Sequence, residues 1–115
     1  MEKRVIGVVG GEVIDQNIEK TGVSPAITLA DAGIFDTGAG AVTGHLLITD
    51  ATAESSAIAV CHINAGAQVI ASVTGSADIS DTKDTASKIN VYVEGGTIQI
   101  QNTTGADAIV SVNIV

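Results

Sequence analysis

The chain has 115 residues and a formal net charge of −8, with five Lys or Arg residues against thirteen Asp or Glu residues. Such a chain lacks the clustered basic residues that neutralise phosphates, which argues against nucleic-acid binding. No apolar run approaches the roughly 18–20 residues of a membrane helix, so we expect no membrane partner.

The composition predicts a β protein. Val and Ile together account for 29 residues and Leu for only three, and β-branched side chains pack well on pleated sheets. The length fits one domain, which we expect to span residues 1–115. Apolar residues make up 45% of the chain but charged residues only 16%, below the usual quarter. This excess favours a surface for self-association.

The first half of the chain contains short apolar runs separated by breaks. The charged start leads into an apolar run too short for a secretory signal, so we expect a first strand and a chain made in the cytoplasm. Residues 31–40 have the composition of a loop or connector. The predicted strands of this half are 5–9, 12–18, 26–30 and 43–50.

The middle of the chain predicts a hairpin, with strands at 56–63 and 67–74 joined by a short turn. Both faces of the first strand are apolar, which predicts that both are covered. The opposite sheet would cover one face, and a partner subunit could cover the other. Cys61 lies in this strand and has no second cysteine to pair with. We expect a buried, inert thiol, because His62 points to the opposite face and supplies no activating charge.

The C-terminal third shows the clearest pattern. Residues 88–94 and 97–101 alternate between apolar and polar side chains around Gly95-Gly96, which predicts a two-residue hairpin. Residues 108–114 predict a third strand beside them, forming an antiparallel meander. The whole chain therefore predicts an antiparallel, jelly-roll-like β-sandwich of eight or nine short strands. Its predicted core comprises Ile58, Val60, Ile89, Val91, Val93, Ile98, Ile100, Val110 and Val112.

One acidic loop is the candidate for a ligand site. Asp78, Asp81 and Asp84 have hydroxyl residues between them and could supply oxygen ligands to Ca²⁺. Their spacing is not that of an EF-hand, and Lys83 would oppose a cation. The alternative is a solvated loop tip. Outside this loop we find no catalytic or cofactor motif, so we expect no enzyme activity and no cofactor.

Residues 84–96, continuing through residues 100–105, resemble the C-terminal part of small β-sandwich proteins of tailed bacteriophages. The resemblance extends over residues 56–115. These proteins are head-decoration, head-fibre and tail-fibre components that are often trimeric. The resemblance implies a structural virion protein that forms a homo-oligomer, with a trimer favoured, and attaches to a capsid or tail protein. The alternative is a carbohydrate-binding or adhesin module, for which Tyr92 is the one ring on a polar strand face.

Overall fold

The computed structural model describes residues 4–9, 12–17 and 26–114, and the side chains of residues 26–113. These residues form eleven strands and no helix. In chain order the strands are β1 Arg4–Val9, β2 Glu12–Asn17, β3 Ile27–Leu29, β4 Ile34–Asp36, β5 Gly44–Asp50, β6 Ser55–Asn64, β7 Ala67–Gly75, β8 Ile79–Ser80, β9 Ile89–Glu94, β10 Thr97–Asn102 and β11 Ala108–Ile114.

The strands form two sheets that pack against each other. The first sheet has the order β2-β1-β4-β10-β9-β8, and the second has the order β3-β11-β5-β6-β7. All described strand pairs are antiparallel except β8 with β9. The prediction of an all-β sandwich is confirmed. The strand count exceeds the predicted eight or nine because two short strands, β4 with three residues and β8 with two, were not predicted.

The core lies between the sheets and draws on both. Leu29, Phe35, Ile48, Ile98 and Ile100 are among its fully buried members. Of the nine predicted core residues, six are buried in this core and a seventh, Val93, is half-buried and packs against it. The six buried residues are Ile89, Val91, Ile98, Ile100, Val110 and Val112.

The predicted hairpin of the C-terminal third is confirmed as β9 and β10. Ile89 pairs with Asn102 and Glu94 pairs with Thr97, so the turn falls on Gly95-Gly96. Both glycines have positive φ, +62° and +82°, the conformation that this tight turn requires.

The predicted meander is wrong at its third strand. β11 does not pair with β10 but lies in the second sheet, between β3 and β5. The chain changes sheets after Asn102, whose buried amide donates to the carbonyl oxygens of Leu29 and Ala106. Its Oδ1 accepts from the backbone N–H and the hydroxyl of Thr104. These bonds hold the connection across the edge of the sandwich, where a hairpin turn would have kept β11 beside β10.

The predicted loop at 31–40 contains a strand. β4 lies in the first sheet, where Phe35 pairs with Ile100, and the Phe35 ring is 1% exposed. The strand has three residues, too few for an alternating pattern to reveal it.

Two predicted core residues lie on the wrong face. Ile58 is 41% exposed and Val60 is half-buried, because the side chains of β6 that enter the core are Ala57, Ala59 and Cys61. The small side chains fit the interior, where large residues of the first sheet already fill the space. The larger aliphatic residues therefore point away from the core.

Candidate functional site

The three aspartates of the candidate calcium loop do not converge. Asp78 accepts from the hydroxyl of Ser55 at 2.7 Å, and Asp81 accepts from Thr82 at 3.0 Å. The Asp84 carboxylate instead accepts from the side-chain amide of Gln101 at 2.7 Å. Among the described residues, no group of three or more His, Cys, Asp or Glu side chains is placed to hold a metal ion.

The loop at residues 81–88 covers the outer side of the first sheet. Gln101 accepts from the backbone N–H of Asp84 at 2.8 Å while its amide donates to the carboxylate of the same residue. The buried Asn90 amide donates to the Thr85 carbonyl oxygen, and its Oδ1 accepts from Ser80 at 2.5 Å. These bonds attach the loop at 81–88 to β9 and β10. The loop connects β8 to β9, the one parallel pair among the described strands, and its acidic residues therefore have a structural role.

Tyr92 lies on the same outer side and is covered. Its ring is 7% exposed, and the Lys83 Nζ sits 5.7 Å from the ring centroid while bonding Glu94 at 2.8 Å. The phenolic oxygen is buried and has no hydrogen-bond partner among the described residues. Burial raises the pKa of Tyr92 because it disfavours the phenolate, and the nearby Lys83 charge opposes that effect.

Neither aromatic ring offers a platform for a sugar. The chain has two aromatic residues, Phe35 and Tyr92, and both are buried. Tyr92 does lie on the polar face of its strand, as expected, but it is not available there. Carbohydrate modules commonly stack exposed rings on sugars, and the structure gives this chain none.

The outer side of the second sheet is different in character. We call it the uncharged face and define it by the outward-pointing residues of β5, β6, β7 and β11. The strand registers place these side chains on one surface: His45, Leu47, Thr49, Ser56, Ile58, Val60, His62, Val69, Ser72, Thr74, Ile109, Ser111 and Asn113.

The centre of the uncharged face is apolar. Leu47 on β5 pairs directly with Ile58 on β6, and Val60 follows Ile58 on the same side of the strand. Val69 on β7 pairs with His62 and extends the patch toward the sheet edge. Ile58 is 41% exposed, and Leu47, Val60 and Val69 are half-buried without entering the core. The patch therefore presents aliphatic surface to the outside of the molecule.

No Asp, Glu, Lys or Arg side chain points out of this face. Across β3, β5, β6, β7 and β11 the one such residue is Asp50, which faces inward and is 2% exposed. Its carboxylate accepts from the backbone N–H groups of Thr52 and Ala53 in the following turn. The first sheet, by contrast, carries Asp36 and Glu94 on its strands. An acidic chain thus keeps one whole sheet face free of formal charge.

Both histidines of the chain lie on the uncharged face. His45 pairs with Val60, and His62 is the next outward residue after Val60 along β6. Both side chains are exposed. Cys61, between Val60 and His62, points into the core and is 2% exposed, and burial raises its pKa; the prediction of a buried thiol is confirmed, and its inertness stays a prediction.

The uncharged face was not identified as a site from the sequence, although one signal was present. Residues 55–77 contain no Asp, Glu, Lys or Arg in a chain of net charge −8. The apolar outer side of β6 had predicted that a partner covers this strand, but the extension of the face over β5 and β11 follows only from the order of the strands in the sheet.

Among the described residues there is no helix long and apolar enough to span a membrane.

Comparison of the chain with protein-family models, with curated proteins and with solved structures finds no match.

Proposed function

We propose that the protein is a structural, non-enzymatic component that assembles with copies of itself through the uncharged face. The observation that carries the proposal is the absence of formal charge from a complete sheet face of an acidic chain. Depletion of charged residues marks the centre of protein interfaces, whereas overall apolar content does not. Leu47, Ile58 and Val60 supply the aliphatic centre that such an interface buries.

A second copy of the chain is the occupant that fits best. Two chains of net charge −8 repel each other wherever their carboxylates approach, and the uncharged face is where this repulsion is smallest. A strongly charged partner would find no complementary charge there. The expected assembly is the trimer implied by the resemblance to phage proteins, which as a closed ring leaves no open end.

The biological setting that we propose is the virion of a tailed bacteriophage, with the assembly attached to a capsid or tail protein. The jelly-roll arrangement belongs to this proposal. It is supported by two segments that cross between the sheets. The segment from β3 to β4 passes from the second sheet to the first, and the segment from β10 to β11 passes back. Because β3 pairs with β11 and β4 with β10, both antiparallel, the two crossing segments run antiparallel to each other. The mechanism involves burial of apolar surface and no bond chemistry. Mass spectrometry of purified particles of the encoding phage tests this setting, and absence of the chain from the particles would contradict it.

Assembly itself is tested by placing one charge at the centre of the face. Ile58→Lys puts an ammonium group opposite Leu47, at a position exposed enough to leave the fold intact. Ala86→Lys is the matched control, because it adds the same charge at an exposed position in the loop at 81–88. Sedimentation equilibrium should give the single-chain mass of 11.5 kDa for Ile58→Lys and the wild-type mass for the control.

Retention of the wild-type oligomer mass by Ile58→Lys would overturn the proposal. Far-UV circular dichroism checks that the variant is folded. If it is not, Thr74→Lys provides a second test, since Thr74 is exposed and pairs with Ile58 on the same face.

A further inference from the structure

We propose that protonation of His45 and His62 controls assembly through the uncharged face, so that the oligomer dissociates as the pH falls. This inference depends on the proposed function, because it concerns the same face. Histidine is the side chain whose charge ordinarily changes between pH 5 and 8. Both histidines of the chain lie on one otherwise uncharged surface, beside the aliphatic patch that the interface would bury.

The position of the two side chains explains their effect. His45 pairs with Val60 across the β5–β6 ladder, and His62 is two residues beyond Val60 on the same side of β6. A neutral imidazole can be covered if its nitrogens find hydrogen bonds. A covered imidazolium loses its hydration, and without a counter-charge in the interface this loss opposes assembly.

The described surroundings provide no such counter-charge. The outward positions of β5, β6, β7 and β11 carry no Asp, Glu, Lys or Arg, so the only ionisable groups among them are the two histidines themselves. The loop at 37–43, which Gln68 holds against this end of the sheet by pairing with the backbone of Val42, is also free of these residues. The described side chains of this face therefore offer no carboxylate that could neutralise an imidazolium covered by an assembly.

An opposing effect exists and is weaker. Protonation lowers the net negative charge of each chain, which reduces the general repulsion between copies. That repulsion is screened over about 8 Å at physiological salt, whereas a charge inside an interface is screened much less. The desolvation of the protonated histidines therefore outweighs the reduced repulsion between copies, and assembly is lost as the pH falls.

Light scattering on the full chain at about 0.15 M salt tests the inference by comparing about pH 7.5 with about pH 5.5. We expect the wild-type oligomer to dissociate toward the 11.5 kDa single chain at the lower pH. By linkage, each proton excluded from the interface raises the dissociation constant by up to about tenfold for each pH unit below the ordinary histidine pKa of about 6.5. His45→Gln combined with His62→Gln should show the same degree of assembly at both pH values, whatever its affinity, since glutamine carries no proton that titrates in this range.

The outcomes separate the inference from the proposed function. A wild-type oligomer of the same mass at both pH values would overturn the inference alone, as would a double variant that dissociates as the wild type does. A wild type that is a single chain already at about pH 7.5 would overturn both. Circular dichroism at the lower pH verifies that dissociation is not unfolding.

Discussion

Replacing Tyr92 by phenylalanine should stabilise the protein, although removal of a buried tyrosine hydroxyl ordinarily weakens a fold. The Tyr92 oxygen is buried and has no hydrogen-bond partner among the described residues. A buried hydroxyl without a partner costs about 1–3 kcal/mol of desolvation. Tyr92→Phe removes this cost and keeps the ring, its burial and the Lys83 Nζ above it. We expect the free energy of unfolding to rise by about 1 kcal/mol, or the melting temperature by about 4 °C.

A matched control removes a hydroxyl that has partners. The Thr37 hydroxyl, in a residue 2% exposed, donates to the Ile98 carbonyl oxygen at 2.7 Å and accepts from the Ala39 N–H at 3.1 Å. Thr37→Val leaves the Ala39 N–H without its partner, while the Ile98 carbonyl oxygen keeps its bond from the Thr37 backbone N–H, and it should lower the free energy of unfolding by about 1–3 kcal/mol. The two hydroxyl deletions are therefore expected to have opposite signs.

Urea unfolding followed by far-UV circular dichroism measures both variants beside the wild type. The protein concentration must be the same throughout, because self-association makes apparent stability depend on concentration. A loss of stability in Tyr92→Phe comparable to that in Thr37→Val would contradict the prediction, since it would mean that the Tyr92 hydroxyl is hydrogen-bonded in the folded protein.

Three further predictions concern the buried groups Asn102, Cys61 and Tyr92. Asn102→Ala should lower the free energy of unfolding by about 2–4 kcal/mol, because the Leu29 carbonyl oxygen and the Thr104 N–H lose their bonds to the buried amide, and the Ala106 carbonyl oxygen keeps only its bond from the Thr104 hydroxyl; an unchanged urea midpoint would contradict this. The Cys61 thiol, with its raised pKa, should react with a thiol reagent only as fast as the protein unfolds, and rapid labelling of the native protein would contradict its burial. The pKa of Tyr92 is raised on folding, so its contribution to stability is present below its ordinary value of about 10 and is lost as the pH rises through the folded value; tyrosinate absorbance in native and urea-unfolded protein should show the native transition at the higher pH.

The parts of the fold that the sequence predicts are those set by local patterns. The β9–β10 hairpin follows from strict alternation on both sides of two glycines, and its register agrees with the prediction. The placement of β11 does not follow from its pattern, because a strand of the same composition can continue a meander or cross to the other sheet. Here the choice depends on hydrogen bonds that Asn102 makes to Leu29, 73 residues away in sequence. No spacing near residue 102 contains that information.

The β6 strand shows a second limit of sequence reasoning. With apolar residues on both faces, size favoured Ile58 and Val60 for the core, yet Ala57 and Ala59 occupy it. Which face turns inward depends on the space left by the opposite sheet, and that is a property of the assembled core. The apolar cover expected on both sides of this strand remains the feature that points most directly to a partner. The acidic loop illustrates the reverse case, since aspartates close in sequence do not share a site: Asp78 bonds β6, Asp84 bonds β10, and Asp81 bonds the next residue of its own loop.

The most direct test of self-association is the solution mass of the wild-type protein, measured by light scattering over a dilution series near neutral pH. We predict a mass three times that of the 11.5 kDa chain, unchanged on dilution, as expected for a closed trimer that buries the uncharged face. A mass of one chain at every concentration would contradict the proposed function, because the aliphatic patch around Ile58 would then be exposed to solvent.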